Sequence, residues 1–417
     1  MLQRLKKAPL CLGVCALCLW MFASCKGNKP VEALEKRELF HLNYGTFENE
    51  LKLFDVQKPQ AVNTRLLMRD GFFYIANGES AKIMQLTSYG DLLSILYNAD
   101  TNPVPSFVGL NGSEAQSALE KQSGIATQSA VIYPFNEIGA LAVDSEKRLY
   151  AADILPYERY VRDKKTKTVL RSVVLRFRAD GSFIDYLGQE GPGGTPFPYI
   201  KNLYTNADDE LIAVCLSQNG YLVFWFTRDG RLKFKVPLSV SLLPEYTSDS
   251  DNVFAVIDQV IPDYHAPVLY LKTDYFPAEI DASTHVQSGI IFDKTLIHPF
   301  DVSANRYEKP VTVPDLEQRL THGYTKEVFS ISYEFLGVSE SGWFFFITVD
   351  SDGFSILMLR ENGQKIIRRH LAADIQSIIY HDFSLSPSGI ISALFASEDK
   401  AAVLWWRTDT LIDAIIQ

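Results

Sequence analysis

Residues 221–236 read YLVFWFTRDGRLKFKV: an apolar run, a turn centred on Asp229-Gly230, and a second run alternating apolar with basic. The same phrase stands at 82–96, KIMQLTSYGDLLSIL, at 172–187, SVVLRFRADGSFIDYL, and at 354–369, FSILMLRENGQKIIRR. Each is a β-hairpin by its turn chemistry. Glycine, and to a lesser degree Asn or Asp, tolerates the positive φ that tight hairpin turns demand. A hairpin repeated at long spacing points to a repeat architecture, and with so little helical patterning the one that fits is a β-propeller.

The rest of the chain supports this. Gly181 and Gly230 are 49 residues apart and Gly342 and Gly389 are 47 apart, within the roughly 40–50 residues of a four-stranded blade. Strand-rich segments follow in order at 69–98, 139–188, 208–236, a less regular 250–312, 340–369 and 386–409. The expected fold is therefore all-β, a six-bladed propeller forming one domain over 38–417. Its last segment offers only three clear strands, so the N-terminal run Leu39 to Val56 is expected to supply the fourth and remove the open edge. Two short helix starts are expected, at Ser113-Glu114-Ala115-Gln116 and at Pro314-Asp315-Leu316-Glu317.

The N-terminus reads as an export signal. Arg4, Lys6 and Lys7 precede an apolar stretch from Ala8 to Met21, and Phe22-Ala23-Ser24-Cys25 ends in small residues and a cysteine. The stretch is short for a bilayer span. Residues 1–24 are expected to leave as a lipoprotein signal peptide, with Cys25 acylated (palmitate among its lipids) and 25–37 serving as a tether on an exported protein of the cell envelope. Three of the five cysteines depart with the signal; Cys215, inside LIAVCL, reads as a buried core thiol. Losing Arg4, Lys6 and Lys7 takes the charge from −10 to −13. An acidic chain is a poor match for nucleic acid, whose phosphates need a basic footprint.

The stretch 174–200, VLRFRADGSFIDYLGQEGPGGTPFPYI, resembles an NHL-type propeller repeat in its Arg176-Phe177 strand, its Asp180-Gly181 turn, Gly188, and the passage from Gly191 to Pro198. Residues 69–98 are similar. With the lipobox, the whole chain resembles the NHL-like propeller lipoproteins of spirochaetes. That resemblance implies an envelope location and a binding role, and carries over no catalytic set. Asp144 stands in a Val-Asp pair common in such repeats, where the aspartate caps a turn.

Candidate chemistry is sparse. The seven histidines show no H-x₃-H spacing, there is no Gly-x-Ser-x-Gly elbow, and the loop 188–199 lacks the Lys-Ser/Thr of a phosphate-binding loop. No cofactor is expected. Calcium on the axis would need oxygen ligands from several blades, for which Asp144, Asp153, Asp258 and Asp382 are weak candidates. The broken repeat is more informative. Residues 155–171 insert Arg159, Arg162, Lys164, Lys165, Lys167 and Arg171 around Tyr157 and Tyr160, against only Glu158 and Asp163. The plain reading is a solvated hairpin extension; the functional one, for a basic, aromatic projection on an acidic protein, is contact with an acidic protein, a glycan or a lipid head group. The functional expectation is a lipid-anchored binding or scaffolding module that takes a protein, glycan or small molecule. The alternative is an axial-calcium hydrolase or lyase of the lactonase or arylesterase type.

Overall fold

A computed structural model describes residues 32–54, 62–108, 128–246, 252–281, 283–284, 286–322, 325–360 and 363–416. Cys25, residues 1–24 and the helix start expected at Ser113 lie outside them. The described residues form six sheets of four to six strands, and two small two-stranded ones. The six large sheets are the blades of a β-propeller.

Blade 1 is Thr64–Arg69, Phe72–Asn77, Lys82–Leu86 and Leu92–Tyr97, with Ser129–Ile132 added in parallel outside. Blade 2 is Glu137–Val143, Leu149–Ile154, Ser172–Phe177 and Phe183–Gly188; blade 3 is Tyr199–Thr205, Leu211–Ser217, Gly220–Phe226 and Leu232–Leu238. Blade 4 is Val253–Pro262, Val268–Ile280 and Lys294–Asp301, its outer edge made of two short pieces, Arg306–Tyr307 and Val311–Val313. Blade 5 is Glu334–Val338, Phe344–Asp350, Gly353–Arg360 and Lys365–Ala372. Blade 6 takes Tyr380–Leu385, Ile391–Ala396 and Ala401–Trp406 from the end of the chain, and Arg37–Tyr44 pairs antiparallel with Ala401–Trp406 as its fourth strand. The ring closes as its sequence requires.

The four repeated phrases are the hairpins joining third to fourth strands in blades 1, 2, 3 and 5. In each, the turn glycine (Gly90, Gly181, Gly230 or Gly363) has φ between 82° and 87° and donates its N–H three residues back. In blades 1, 2 and 3 the ladder also shifts register at this bend, a turn closed by a glycine bulge. Blade 6 lacks the phrase because its fourth strand comes from the other end of the chain, and blade 4 because its short hairpin, in which Phe300 and Asp301 pair with Tyr307 and Arg306, turns on Asn305 (φ 50°) in place of a glycine.

Each of the six apolar cores fills the gap between two neighbouring blades, so stability is shared around the ring. Phe40, Leu42, Leu51 and Leu53 belong to the core between blades 6 and 1. Cys215 is buried between blades 2 and 3, where burial pushes its thiol pKa up.

Two features depart from expectation. The segment after Pro314 is no helix: Leu316–His322 pairs along its length with Thr325–Ile331. The partner run TKEVFSI is rich in β-branched and aromatic residues, and cross-strand pairing overrides the local cap signal. At the other end, Thr408–Ile416 is the one α-helix among the described residues; Ile412 packs it onto Trp406 and Phe345. No described helix is long and apolar enough to cross a membrane.

Candidate functional site: the axial pocket

The meander gives the disc two unlike faces. Innermost strands all begin on one face. That face also carries the loops between second and third strands and the crossings between blades. It is called the loop face here. The opposite turn face carries the first-to-second and third-to-fourth turns.

On the turn face the first-to-second turns link neighbouring blades. Lys147 pairs with Asp70, the Ser145 amide donates to Asp209 Oδ1 (2.9 Å), and the Ala207 amide donates to the Tyr264 carbonyl (2.8 Å). His265 Nε2 donates to the Glu340 carbonyl (3.1 Å), and the Glu340 amide to that of Pro387 (2.7 Å). Arg69, on blade 1 and buried, reaches across the axis to Tyr264 on blade 4, Nη2 donating to the phenol oxygen at 3.3 Å. The axis is bridged at this end.

Towards the loop face the inner strands enclose a cavity of about 200 Å³ to which all six blades contribute. Leu67, Leu141, Leu203, Leu336 and Leu385 form its deeper apolar part; Arg65, Asn202, Gln259, Glu334 and Asp382 form its polar mouth. In blades 1, 3, 5 and 6 the order within the strand dictates this division, because the polar residue precedes the leucine and so lies nearer the loop face. Arg65 Nη1 meets Asp382 Oδ1 at 3.1 Å, while Asp382 Oδ2 accepts the Leu66 amide at 2.7 Å. Burial raises the Asp382 pKa against the pull of Arg65. Glu334 is also raised, first by burial and then by the charges of Asp258 and Asp382. Gln259 Oε1 accepts the Phe335 amide (2.7 Å), and Tyr380 donates its hydroxyl to the Thr64 carbonyl, tying blade 6 to blade 1.

Of the four candidate carboxylates, two reach this region. Asp382 lines the mouth. Asp258 stands beside it, held at 2.8 Å by buried Lys272, which also pairs with Asp274. Asp144 is on the turn face, capping its own turn by accepting the amides of Glu146 (3.0 Å) and Arg148 (2.9 Å) and the Tyr150 hydroxyl. Asp153, at the loop-face end of blade 2, accepts the Glu137 amide at 2.8 Å, and burial pushes it up to about 6. Asp144 therefore cannot share an ion with Asp258 and Asp382. Calcium also fits the mouth poorly, since a guanidinium already neutralises Asp382 and an ammonium Asp258. Among the described residues, the one group of three His, Cys, Asp or Glu side chains close enough to share an ion is Asp350, Asp352 and His370 on the rim of blade 5.

The basic insertion lies on the loop face between the second and third strands of blade 2. Tyr157–Arg159 make a short turn and Val161–Arg162 pairs with Val169–Leu170. Asp163 accepts the Lys165 and Thr166 amides (2.9 and 2.6 Å), which fixes the tip. Tyr157 and Tyr160 contact each other, and Tyr157 is 81% exposed. Arg159, Arg162, Lys164, Lys165 and Lys167 are solvated, whereas Arg171 stacks over the Tyr199 ring at 5.4 Å. Tyr199 opens the inner strand of blade 3, so the hairpin root adjoins the pocket wall.

Sequence reading missed Arg65, Asn202, Gln259 and Glu334. A signal was present: each stands beside the apolar positions of a blade's first strand, as in TRLLMR, YIKNLYT and EFLGV.

No family model matches the chain, and no curated protein matches it. Among solved structures it is similar to a gluconolactonase from Xanthomonas campestris (11% identity, 91% of this chain and 98% of that one, TM-score 0.37). It is also similar to the calcium-binding protein regucalcin from Agrobacterium tumefaciens (10% identity, 90% and 95%, TM-score 0.39). An ulvan lyase of polysaccharide lyase family 25 gives 11% identity over 89% and 83%, TM-score 0.39.

Proposed function

We propose that this chain is an exported, lipid-anchored binding module of the cell envelope, in the manner of the NHL-like propeller lipoproteins its sequence resembles. Its ligand enters the axial pocket from the loop face. The observation that carries this reading is the one-sided pocket: bridged by Arg69 and Tyr264 at the turn face, polar at the mouth and apolar below. Donors on Arg65, Asn202 and Gln259 beside acceptors on Glu334 and Asp382 suit a polyhydroxylated ligand such as a sugar ring, whose C–H surface would rest on the leucines. A panel of neutral monosaccharides, uronic acids and short glycans, read by thermal shift and calorimetry, tests it. Binding of a sugar that Arg65→Met weakens at least about tenfold, the scale of losing one charged hydrogen bond, supports the reading. Binding that is unchanged in Arg65→Met and Asp382→Asn refutes it.

One observation favours a second reading, a hydrolase or lyase. Glu334 sits in the pocket with its pKa raised, which is how a carboxyl becomes a general acid. Turnover of a lactone or glycan abolished by Glu334→Gln, with binding retained, would establish that reading in place of the first.

A further inference from the structure

Beyond the pocket, the loop face carries a second feature. The inner strand of blade 4, Val253–Pro262, starts six residues before Gln259, whereas its neighbour in blade 5 starts one residue before Phe335, whose amide Gln259 accepts. With its partner Val268–Ile280 and the short strand Gln287–Ile290, it stands above the disc by roughly 10–16 Å at about 3.3 Å per residue. Its surface is apolar where water would be expected. Phe254, Val256, Ile280, Ile290 and Ile291 are each about half exposed, and Leu242 beside them is 55% exposed. Such a patch on a monomer's surface marks a contact site.

Two observations indicate what covers it. The chain enters the described structure on the same side. Glu32 accepts the His370 amide and Leu34 donates to the His370 carbonyl, on the outer strand of blade 5 at the level of the loop-face rim. Residues 26–31 separate this point from Cys25, a stretch spanning at most about 25 Å. The basic hairpin, with five solvated cations, rises from the same face on blade 2.

We propose that the loop face docks on an anionic lipid bilayer. The blade 4 projection inserts its apolar tip at the headgroup boundary, and Arg159, Arg162, Lys164, Lys165 and Lys167 lie against acidic headgroups. This rests on the lipid-anchor reading and adds to it a second attachment, since apolar insertion and basic attraction reinforce a tether. Asp281, also at the tip, is occupied by its own turn, accepting from Ser283 and Thr284. The projection acts as a leg that holds the pocket mouth off the bilayer, leaving a gap in which a ligand can reach it.

The test uses the mature chain with Cys25→Ser, which carries no lipid, sedimented with vesicles of phosphatidylcholine alone or mixed with phosphatidylglycerol. Binding is expected only to the mixed vesicles. It should fall at least about tenfold when the five hairpin cations become Gln, and likewise in Phe254→Ser/Ile290→Ser. Circular dichroism confirms that each variant is folded. Absence of binding by the folded parent chain overturns the proposal, as does binding that neither set of substitutions reduces. A dimer that Phe254→Ser/Ile290→Ser dissociates also overturns it, and assigns the patch to a second copy. The anchor is tested separately by the mass of the N-terminal peptide from cells: an unmodified Cys25 sinks the anchor reading whatever the vesicles show.

Discussion

The two faces of the disc are built by different rules. On the turn face, four blades repeat one bend, each with a glycine at φ between 82° and 87°, and the inner turns join neighbouring blades by hydrogen bonds and ion pairs. On the loop face the blades diverge: blades 3 and 5 close with two-residue turns at Ser217–Gly220 and Asp350–Gly353, whereas blade 2 extends a basic hairpin, blade 4 a tall apolar one, and the hairpin Leu316–Ile331 follows it. Uniformity accompanies construction, and departure from it accompanies whatever is particular to this protein. Substitutions on the turn face should therefore cost stability, and those on the loop face should cost binding.

The largest effect is expected at the closure that joins the ring. Removing residues 32–54 strips the fourth strand from blade 6, exposes the Ala401–Trp406 edge and uncovers the core that Phe40, Leu42, Leu51 and Leu53 fill. Aggregated protein on gel filtration is the expected outcome; a monomer with unchanged melting would break the closure account. Next comes Gly230→Val. Its φ is 86°, and an added Cβ would stand 2.8 Å from Arg176 Nη1 and 2.9 Å from Leu187 Cδ2. A loss of about 1–3 kcal/mol in urea unfolding is expected, with vesicle and sugar binding of the folded fraction unchanged.

A smaller effect is expected from pH at Asp153. Its native pKa of about 6 lies above its unfolded value of 3.8, so between these the native state holds a proton that the unfolded chain has released. The stabilising contribution is present below about pH 4 and lost as pH rises to about 6. Asp153→Asn should flatten that part of the melting-temperature profile. An unchanged slope would show that the amides of Asn136 and Glu137 keep the carboxylate ionised. The smallest stability change, within about 0.5 kcal/mol, is expected from neutralising the solvated hairpin cations.

The contrast between faces also decides what was legible in the sequence. The Asp229-Gly230 bend and its repeats disclose the fold because a tight turn restricts its residues so narrowly. Closure by the N-terminal run was readable from a strand missing at Trp406. The pocket was not, because Arg65, Asn202, Gln259 and Glu334 lie in four separate blades and meet only when the ring closes. The Pro314-Asp315 helix signal failed for a related reason: local preference at Leu316–His322 was outweighed by a partner strand that a local reading does not weigh.

The most direct test of the central claim is a crystal structure of the protein with the tightest-binding sugar from the panel. The account predicts the sugar on the axis, between Arg65, Glu334 and Asp382, entered from the loop face with the Arg69–Tyr264 bridge intact. A sugar bound on the turn face, or reached through a parted bridge, would contradict it.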